Sequence, residues 1–300
     1  MEQPATSKPK SYEEIKNSLI PLLDLPEGEY LTSIGGFVQK RLTELESSPR
    51  TVQMLDGLHG NYQGFLHSDV EVNPAVFGAG FKIDDPAIYR DLFTRLRYFQ
   101  DVFKATAVGD DKDYEKAVFH AIQYALQDYF GNVVPSDAGM KRREQMVWRG
   151  AVHAVGEEDQ AYEPASIAEF KDIALCAERA AVANNMLQLL GFEPVMVSGK
   201  LEREDDTEPE LHSFLVIRNC EGREMIYDPS NPIIVLNQED KAAQMGPALY
   251  GTEDFLSSKG ASISVSKLRY KLDELGKPVL VRQKPYTYMN SVFGNELHPR

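Results

Sequence analysis

Cysteine is nearly absent from this chain. Cys176 and Cys220 are the only two in 300 residues, which excludes a disulfide framework, a C-x-x-C redox motif and a Cys-rich zinc site. Long apolar runs are missing as well, and none approaches the ~18 residues that a membrane-spanning helix needs. No apolar segment follows the lysines of "MEQPATSKPKSYEEIKNSL", so the pattern of a secretory signal is not there. The expected setting is the cytoplasm, with no membrane partner. Basic residues are in deficit: 32 Lys and Arg stand against 46 Asp and Glu, for a net charge of −14. A groove tracking phosphates would start from the wrong sign, so nucleic acid is not an expected partner.

What is present is 42% hydrophobic and 26% charged residues, the balance of a globular protein with a sizeable core. The patterning predicts an α+β fold in three parts. Residues 1–11 are polar and proline-bearing, a flexible tail. Residues 12–160 read as mostly helical. Ser11 and Glu14 form a capping-box signature ahead of "YEEIKNSLIPLL". Ile88, Leu92, Leu96, Phe99 and Phe103 repeat at helical spacing. "DDKDYEKAVFHAIQYALQDYFGN" is the expected antiparallel partner of that helix, stopped by Gly131, and "SDAGMKRREQMVWRGAVHAVG" is a further helix. Residues 161–300 hold one helix, then short apolar or alternating runs: "EPVMVSGKL", "LHSFLVIR", "REMIYDP", "IIVL", "SISVS" and "KPVLVRQ". Bounded by Gly, Pro, Asn and Asp, these read as mostly antiparallel strands, so helices precede a sheet.

Most polar candidates have an ordinary reading. His59 and His67 lie in the Gly-rich stretch "DGLHGNYQGFLHSD" and read as surface residues of a loop. His120 reads as a packed ring on a helix. The acid-rich "KLEREDDTEPEL" has oxygen ligands that would suit calcium but no fixed ligand spacing, so it reads as a solvated loop. Glu178 and Arg179 read as solvated or rim charges, and Cys220 as an exposed bystander in a turn. "RQKPYTYMNSVFGNELHPR" is expected to pack across the domain, with no chemistry assigned to it.

Three residues form a more pointed set. Cys176, Ala180, Ala183, Leu187 and Leu190 share one helical stripe, and its alanines allow a helix to approach a sheet closely. If the helix begins just before Cys176, unpaired N–H groups and the positive dipole end favour a thiolate there. Ser166 and Glu169 form a second capping box, and a helix running unbroken from Ser166 would bury Cys176 in mid-helix. A break near Asp172–Leu175 is expected instead, with Asp172 recapping the second helix. "ELHSFLVIRNCEGREMIYDPSNP" reads as a hairpin turning at "NCEG". Centred on Cys220, it sets His212 opposite Asp228 on one face. A cysteine, a histidine base and a carboxylate that orients the base are the parts of nucleophilic cysteine catalysis. Singly, such a cysteine is ordinarily core filler, such a histidine merely hydrogen-bonded and Asp-Pro merely a turn.

The ordered set resembles the transglutaminase-like branch of the papain-like superfamily. Cys176 opening a helix, Leu190-Gly191-Phe192 breaking into a strand, His212-Ser213-Phe214 and Asp228-Pro229-Ser230 follow that pattern in order. Two features depart from it: Ala177 follows the cysteine, and "FKDIAL" stands where a Gly-rich lead-in is usual. The resemblance implies a transglutaminase-like core with a helix packed on an antiparallel sheet. It implies a Cys176–His212–Asp228 triad attacking an amide or acyl carbon of a protein or peptide substrate, through a thioester and without metal or organic cofactor. The Cys176 N–H is half of an oxyanion site, with Gln160 or Trp148 as candidates for the rest. Two alternatives stay open: a non-catalytic protein-interaction module retaining the fold, and an acyl-CoA-dependent acetyltransferase. The latter family shares the triad order but carries an Arg-Gly-Gly lead-in that is absent here.

Overall fold

A computed structural model of the chain describes residues 11–47, 81–82, 85–106, 111–131, 135–154, 165–203, 210–236, 243–253, 255–256, 262–272 and 278–290. The architecture is α+β, with helices followed by an antiparallel sheet. The chain divides into two compact units, one comprising residues 1–53, 59–174 and 181–194, the other residues 54–58, 175–180 and 195–300. The stretch with His59 and His67 and the middle of the acid-rich loop, 204–209, lie outside the described residues, as does Gln160.

The first unit is helical. Helix α1 (Tyr12–Leu23) starts at the expected capping box: the Glu14 N–H donates to Ser11 Oγ, and the Ser11 N–H donates to Glu14 Oε2. Helix α2 (Glu27–Ser47) buries Tyr30, Ile34 and Phe37. Helix α3 (Ala87–Thr106) buries Ile88, Leu92 and Leu96 and packs on helix α4 (Asp111–Phe130). Phe99 and Phe103 are half-buried, each about the same distance from the His120 ring, at 5.3 and 5.1 Å between centroids. His120 Nδ1 meets the Lys116 carbonyl at 2.8 Å. Burial drives its pKa below the usual value against that hydrogen bond, so it is a packed, satisfied ring. Helix α4 ends where Gly131 takes φ +75°, a conformation that costs a side-chain-bearing residue more. Helix α5 (Asp137–Ala154) follows, and strands β1 (Phe81–Lys82) and β2 (Ala165–Ser166) pair in parallel.

Helix α6 (Cys176–Leu189) is the only helix to contribute to both units among the described residues. The expected single stripe is too narrow for it. Ala180, Ala183, Leu187 and Leu190 are buried, but so are Ala181, Val182, Met186 and Leu189, so the helix is covered on more than one face. Its C-terminal end is closed locally. The Phe192 N–H donates to the Leu187 carbonyl and the Gly191 N–H to the Gln188 carbonyl, with Gly191 at φ +90°. That is a Schellman motif, for which glycine is the natural residue. Arg41 of α2 donates to the Gln188 and Leu189 carbonyls at 3.0 and 3.2 Å, a cation at the negative end of the dipole.

The second unit is a six-stranded antiparallel sheet: β3 (Val195–Arg203), β4 (Glu210–Arg218), β5 (Glu224–Leu236), β6 (Ala243–Gly251), β7 (Ser262–Leu272) and β8 (Pro278–Asn290). The spatial order is β6-β5-β4-β3-β8-β7, and β7 curls back towards β5. "REMIYDP" and "IIVL", read separately in the sequence, are one strand whose register slips between Asp228 and Ile233. Alternation sets the core: Val197 and Leu201, Phe214 and Val216, Ile226, Tyr286 and Tyr288 form one buried cluster with Phe255. His212 and Asp228 continue the same alternation on β4 and β5, so this polar pair ends an otherwise apolar row. Gly199 faces His212 across one ladder and Asn290 across the other. A Cβ there would lie 2.1 Å from the Met289 carbonyl oxygen.

Gly199→Ala is therefore expected to force β3 and β8 apart. It should lower stability by about 1–3 kcal/mol, the usual cost of overpacking, measured as a reduced urea midpoint at unchanged slope. Wild-type stability in this variant would show that β8 does not press on β3 at this point.

Candidate functional site

The lead-in to Cys176 explains why the helix begins there. The capping box at Ser166 and Glu169 opens only a short 3-10 turn, Ile167–Phe170. Asp172 then takes φ +65°, a left-handed conformation that stops any helical run. It does not recap the next helix. Its N–H donates to the Phe130 carbonyl. The cap is supplied by Glu178, whose Oε2 accepts the Leu175 N–H at 2.8 Å, the returning half of a capping box. Glu178 and Arg179 are buried, which corrects their reading as solvated charges. Burial lowers the Arg179 pKa while the neighbouring Glu178 carboxylate raises it. Cys176 is thus the first residue of α6 and is half-buried.

The β4–β5 hairpin sets His212 against Asp228, although not in the expected register. The pairs are Leu215–Tyr227, Val216–Ile226, Ile217–Met225 and Arg218–Glu224, so the hairpin is centred on Glu221 rather than Cys220. The physical reason is Gly222. At φ +77° it adds a left-handed residue after a turn closed by the Gly222 N–H on the Asn219 carbonyl, the usual three-residue hairpin loop. A slip of two residues keeps every side chain on its face, whereas a slip of one would not. Asp228 therefore stands diagonal to His212 on the shared face, and the imidazole reaches across: Nε2 and Asp228 Oδ2 are 2.8 Å apart. Cys220 is exposed in the turn, as expected.

Asp228 has no exposed surface, so its charge must be met by donors. Pro229 to Pro232 leave the β5–β6 ladder as a bulge, with prolines at both ends that have no N–H to donate. The freed Ser230 and Asn231 N–H groups turn back to Oδ1 at 3.0 and 3.2 Å. Oδ2 accepts from His212, from Asn231 Nδ2 at 2.9 Å and from the Tyr288 hydroxyl at 2.9 Å. His212 is itself buried beside Phe214 and Tyr288. Burial opposes its cation. The Asp228 carboxylate outweighs this, and together with a hydrogen bond to the Cys176 side chain it raises the ring's pKa to about 10. With Nε2 turned to Asp228, Nδ1 is the ring nitrogen left for the thiol.

The structure thus brings Cys176, His212 and Asp228 together. Trp148 lies on helix α5. Among the described residues no cluster of His, Cys, Asp and Glu could hold a metal ion, and no helix is long and apolar enough to cross a membrane. No protein-family model, curated protein or solved structure matches the chain. Reasoning from sequence missed two residues of the site. Asn231 had a usable signal, because an Asp followed by Pro, Ser and Asn favours a side chain bonding its own backbone. Tyr288 had none, being 60 residues from Asp228 in the chain.

A raised histidine pKa makes folding take up a proton. The His212 contribution to stability should be complete below the unfolded value of 6.5 and disappear as pH rises through about 10. Urea unfolding across that range should show stability falling as pH rises, with a flatter profile in His212→Gln. Equal slopes in the two proteins would mean that the ring does not hold its proton against Asp228.

Proposed function

We propose that the chain is a cysteine-dependent acyl-transfer enzyme of the transglutaminase-like kind, acting on an amide or peptide bond. One observation carries this reading: a buried histidine–carboxylate pair whose imidazole is also hydrogen-bonded to a half-buried thiol on the first residue of a helix. As structure alone the arrangement is poorly motivated. Burying a His–Asp pair is costly, and apolar residues of similar volume would hold the sheet at least as well. Groups perturbed by burial and a charge partner cluster instead at sites of chemistry.

The roles follow from the atoms. Cys176 Sγ attacks the carbonyl carbon as a thiolate, with His212 holding the proton as an imidazolium. The C–S bond forms, and negative charge collects on the carbonyl oxygen. The Cys176 N–H, among the first-turn donors that no helical carbonyl satisfies, stabilises that charge. The C–N bond then breaks, and His212 gives its proton to the leaving amine, leaving a thioester. Water or a second amine attacks the thioester, His212 takes the proton of the attacking group, and Cys176 departs as thiolate. Attack by water gives hydrolysis or deamidation, and attack by an amine gives cross-linking. Asp228 keeps one ring face and one tautomer in place throughout and stays ionised. The assignment to the transglutaminase-like branch rests on the motifs at Cys176, Leu190-Gly191, His212 and Asp228-Pro229.

Limiting iodoacetamide followed by intact-mass analysis tests the reading. At neutral pH the first adduct should form at Cys176, ahead of the exposed Cys220, and should vanish in Cys176→Ala. His212→Ala should slow it about tenfold or more, given the activation a base confers on a thiol. Equal labelling of both cysteines, unchanged in His212→Ala, would leave the thiol without an activating base and remove the proposal.

A further inference from the structure

The C-terminal strand contributes a residue that the reading above does not use. Tyr288 lies in the buried core cluster of the sheet, its ring 5.3 Å from that of Phe214 and 6.2 Å from that of His212. For packing alone a phenylalanine would serve. A buried phenol adds a hydroxyl that needs an acceptor, and the acceptor is Asp228 Oδ2, the oxygen that also receives His212 Nε2. We propose that Tyr288 is a positioning residue for the candidate triad. Its hydroxyl holds the Asp228 carboxylate in the orientation His212 requires and sets how strongly that carboxylate binds the imidazolium. This role rests on the acyl-transfer reading for its catalytic meaning, but not for its geometry.

The physical argument is a competition among donors. Oδ2 is shared by an imidazole, an amide and a phenol. Each donor draws on the same negative charge, so every hydrogen bond from a neutral group weakens the oxygen's hold on the imidazolium proton. The Asn231 amide is supplied by the same bulge that carries Asp228. The phenol comes from β8, three places from β5 in the sheet, beyond β4 and β3, so it ties the pair across the sheet. Burial and the adjacent carboxylate push the Tyr288 pKa up, and the phenol stays a donor. Among the described residues, the other titratable groups acting on the pair and on Tyr288 are Cys176 from α6, Tyr227 from β5, Tyr250 from β6 and Tyr286 from β8. The three tyrosines are uncharged when protonated, and Cys176, which also raises the His212 pKa, is the same in every protein compared, so a change at Tyr288 is read against a constant background.

The test is the titration midpoint of His212, followed by NMR of isotope-labelled histidine ring nitrogens in the full chain. Tyr288→Phe keeps the ring and removes one donor from Oδ2, so His212 should hold its proton more tightly. The expected rise is about one pH unit, the order of one charge-assisted hydrogen bond. Replacing Tyr288 with 3-fluorotyrosine, a nearly isosteric and stronger donor, should move the midpoint the other way. It carries the test alone if Tyr288→Phe does not fold. Opposite displacements support the proposal, because a residue serving only as core filler would not reverse the sign. A midpoint unchanged by either replacement, or moved the same way by both, overturns it. Iodoacetamide labelling of the wild type beside His212→Ala separates the two proposals. His212-independent labelling would defeat the acyl-transfer reading and leave the midpoint result standing, whereas His212-dependent labelling with an unmoved midpoint would defeat only the role of Tyr288.

Discussion

The arrangement of the sheet unit depends on one buried carboxylate. Asp228 is out of contact with water, where an ionised carboxyl costs several kcal/mol unless donors surround it. Each nearby irregularity answers that requirement. The chain abandons its ladder between Asp228 and Ile233, which frees the Ser230 and Asn231 N–H groups to turn inward. Asn231 adds its amide, Tyr288 arrives from the far end of the sequence, and His212 supplies the one donor that can carry a charge. Because both oxygens are engaged from several directions, the carboxylate cannot rotate without leaving donors unpaired. The imidazole therefore has one well-defined face to meet.

Helix α6 is built to a complementary logic, with both ends set by local chemistry and its length by what must be covered. The left-handed Asp172 and the Glu178 cap fix where it starts, and the Schellman turn at Gly191, reinforced by Arg41, fixes where it stops. Between them the helix is buried on every side, Asn184 and Asn185 included. The Tyr89 hydroxyl donates to Asn185 Oδ1 at 3.1 Å. The thiol stands in the first turn, whose leading N–H groups have no carbonyl within the helix to receive them.

Much of this was legible from residue order, for identifiable reasons. Capping boxes at Ser11 and Ser166 are contacts within three residues, and Gly131, Gly191 and Gly222 mark left-handed positions that side chains disfavour. Alternation along β4 and β5 placed His212 and Asp228 on one face, and parity survived an error in the register. The register itself was misjudged because the three-residue loop runs over 220–222 and ends on the left-handed Gly222, one position later than a turn centred on Cys220. Glu178 was misread because a charge beside a cysteine looks like surface until the turn it caps is known. The single stripe on α6 was too narrow because alanine is compatible with a buried face and an exposed one alike.

By itself the sequence determined what is encoded within a few residues or by simple period: the helical character of the first part, the strands other than β6, the glycine stops, and the order Cys, His, Asp. Only the tertiary structure decided how the buried charge is satisfied, that Tyr288 and Asn231 share an oxygen with His212, and that Cys176 meets the ring. The reason is physical. A hydrogen bond to a buried carboxylate is chosen by proximity in space, and proximity between residues 60 apart follows from strand order in the sheet, to which no local pattern of residues refers.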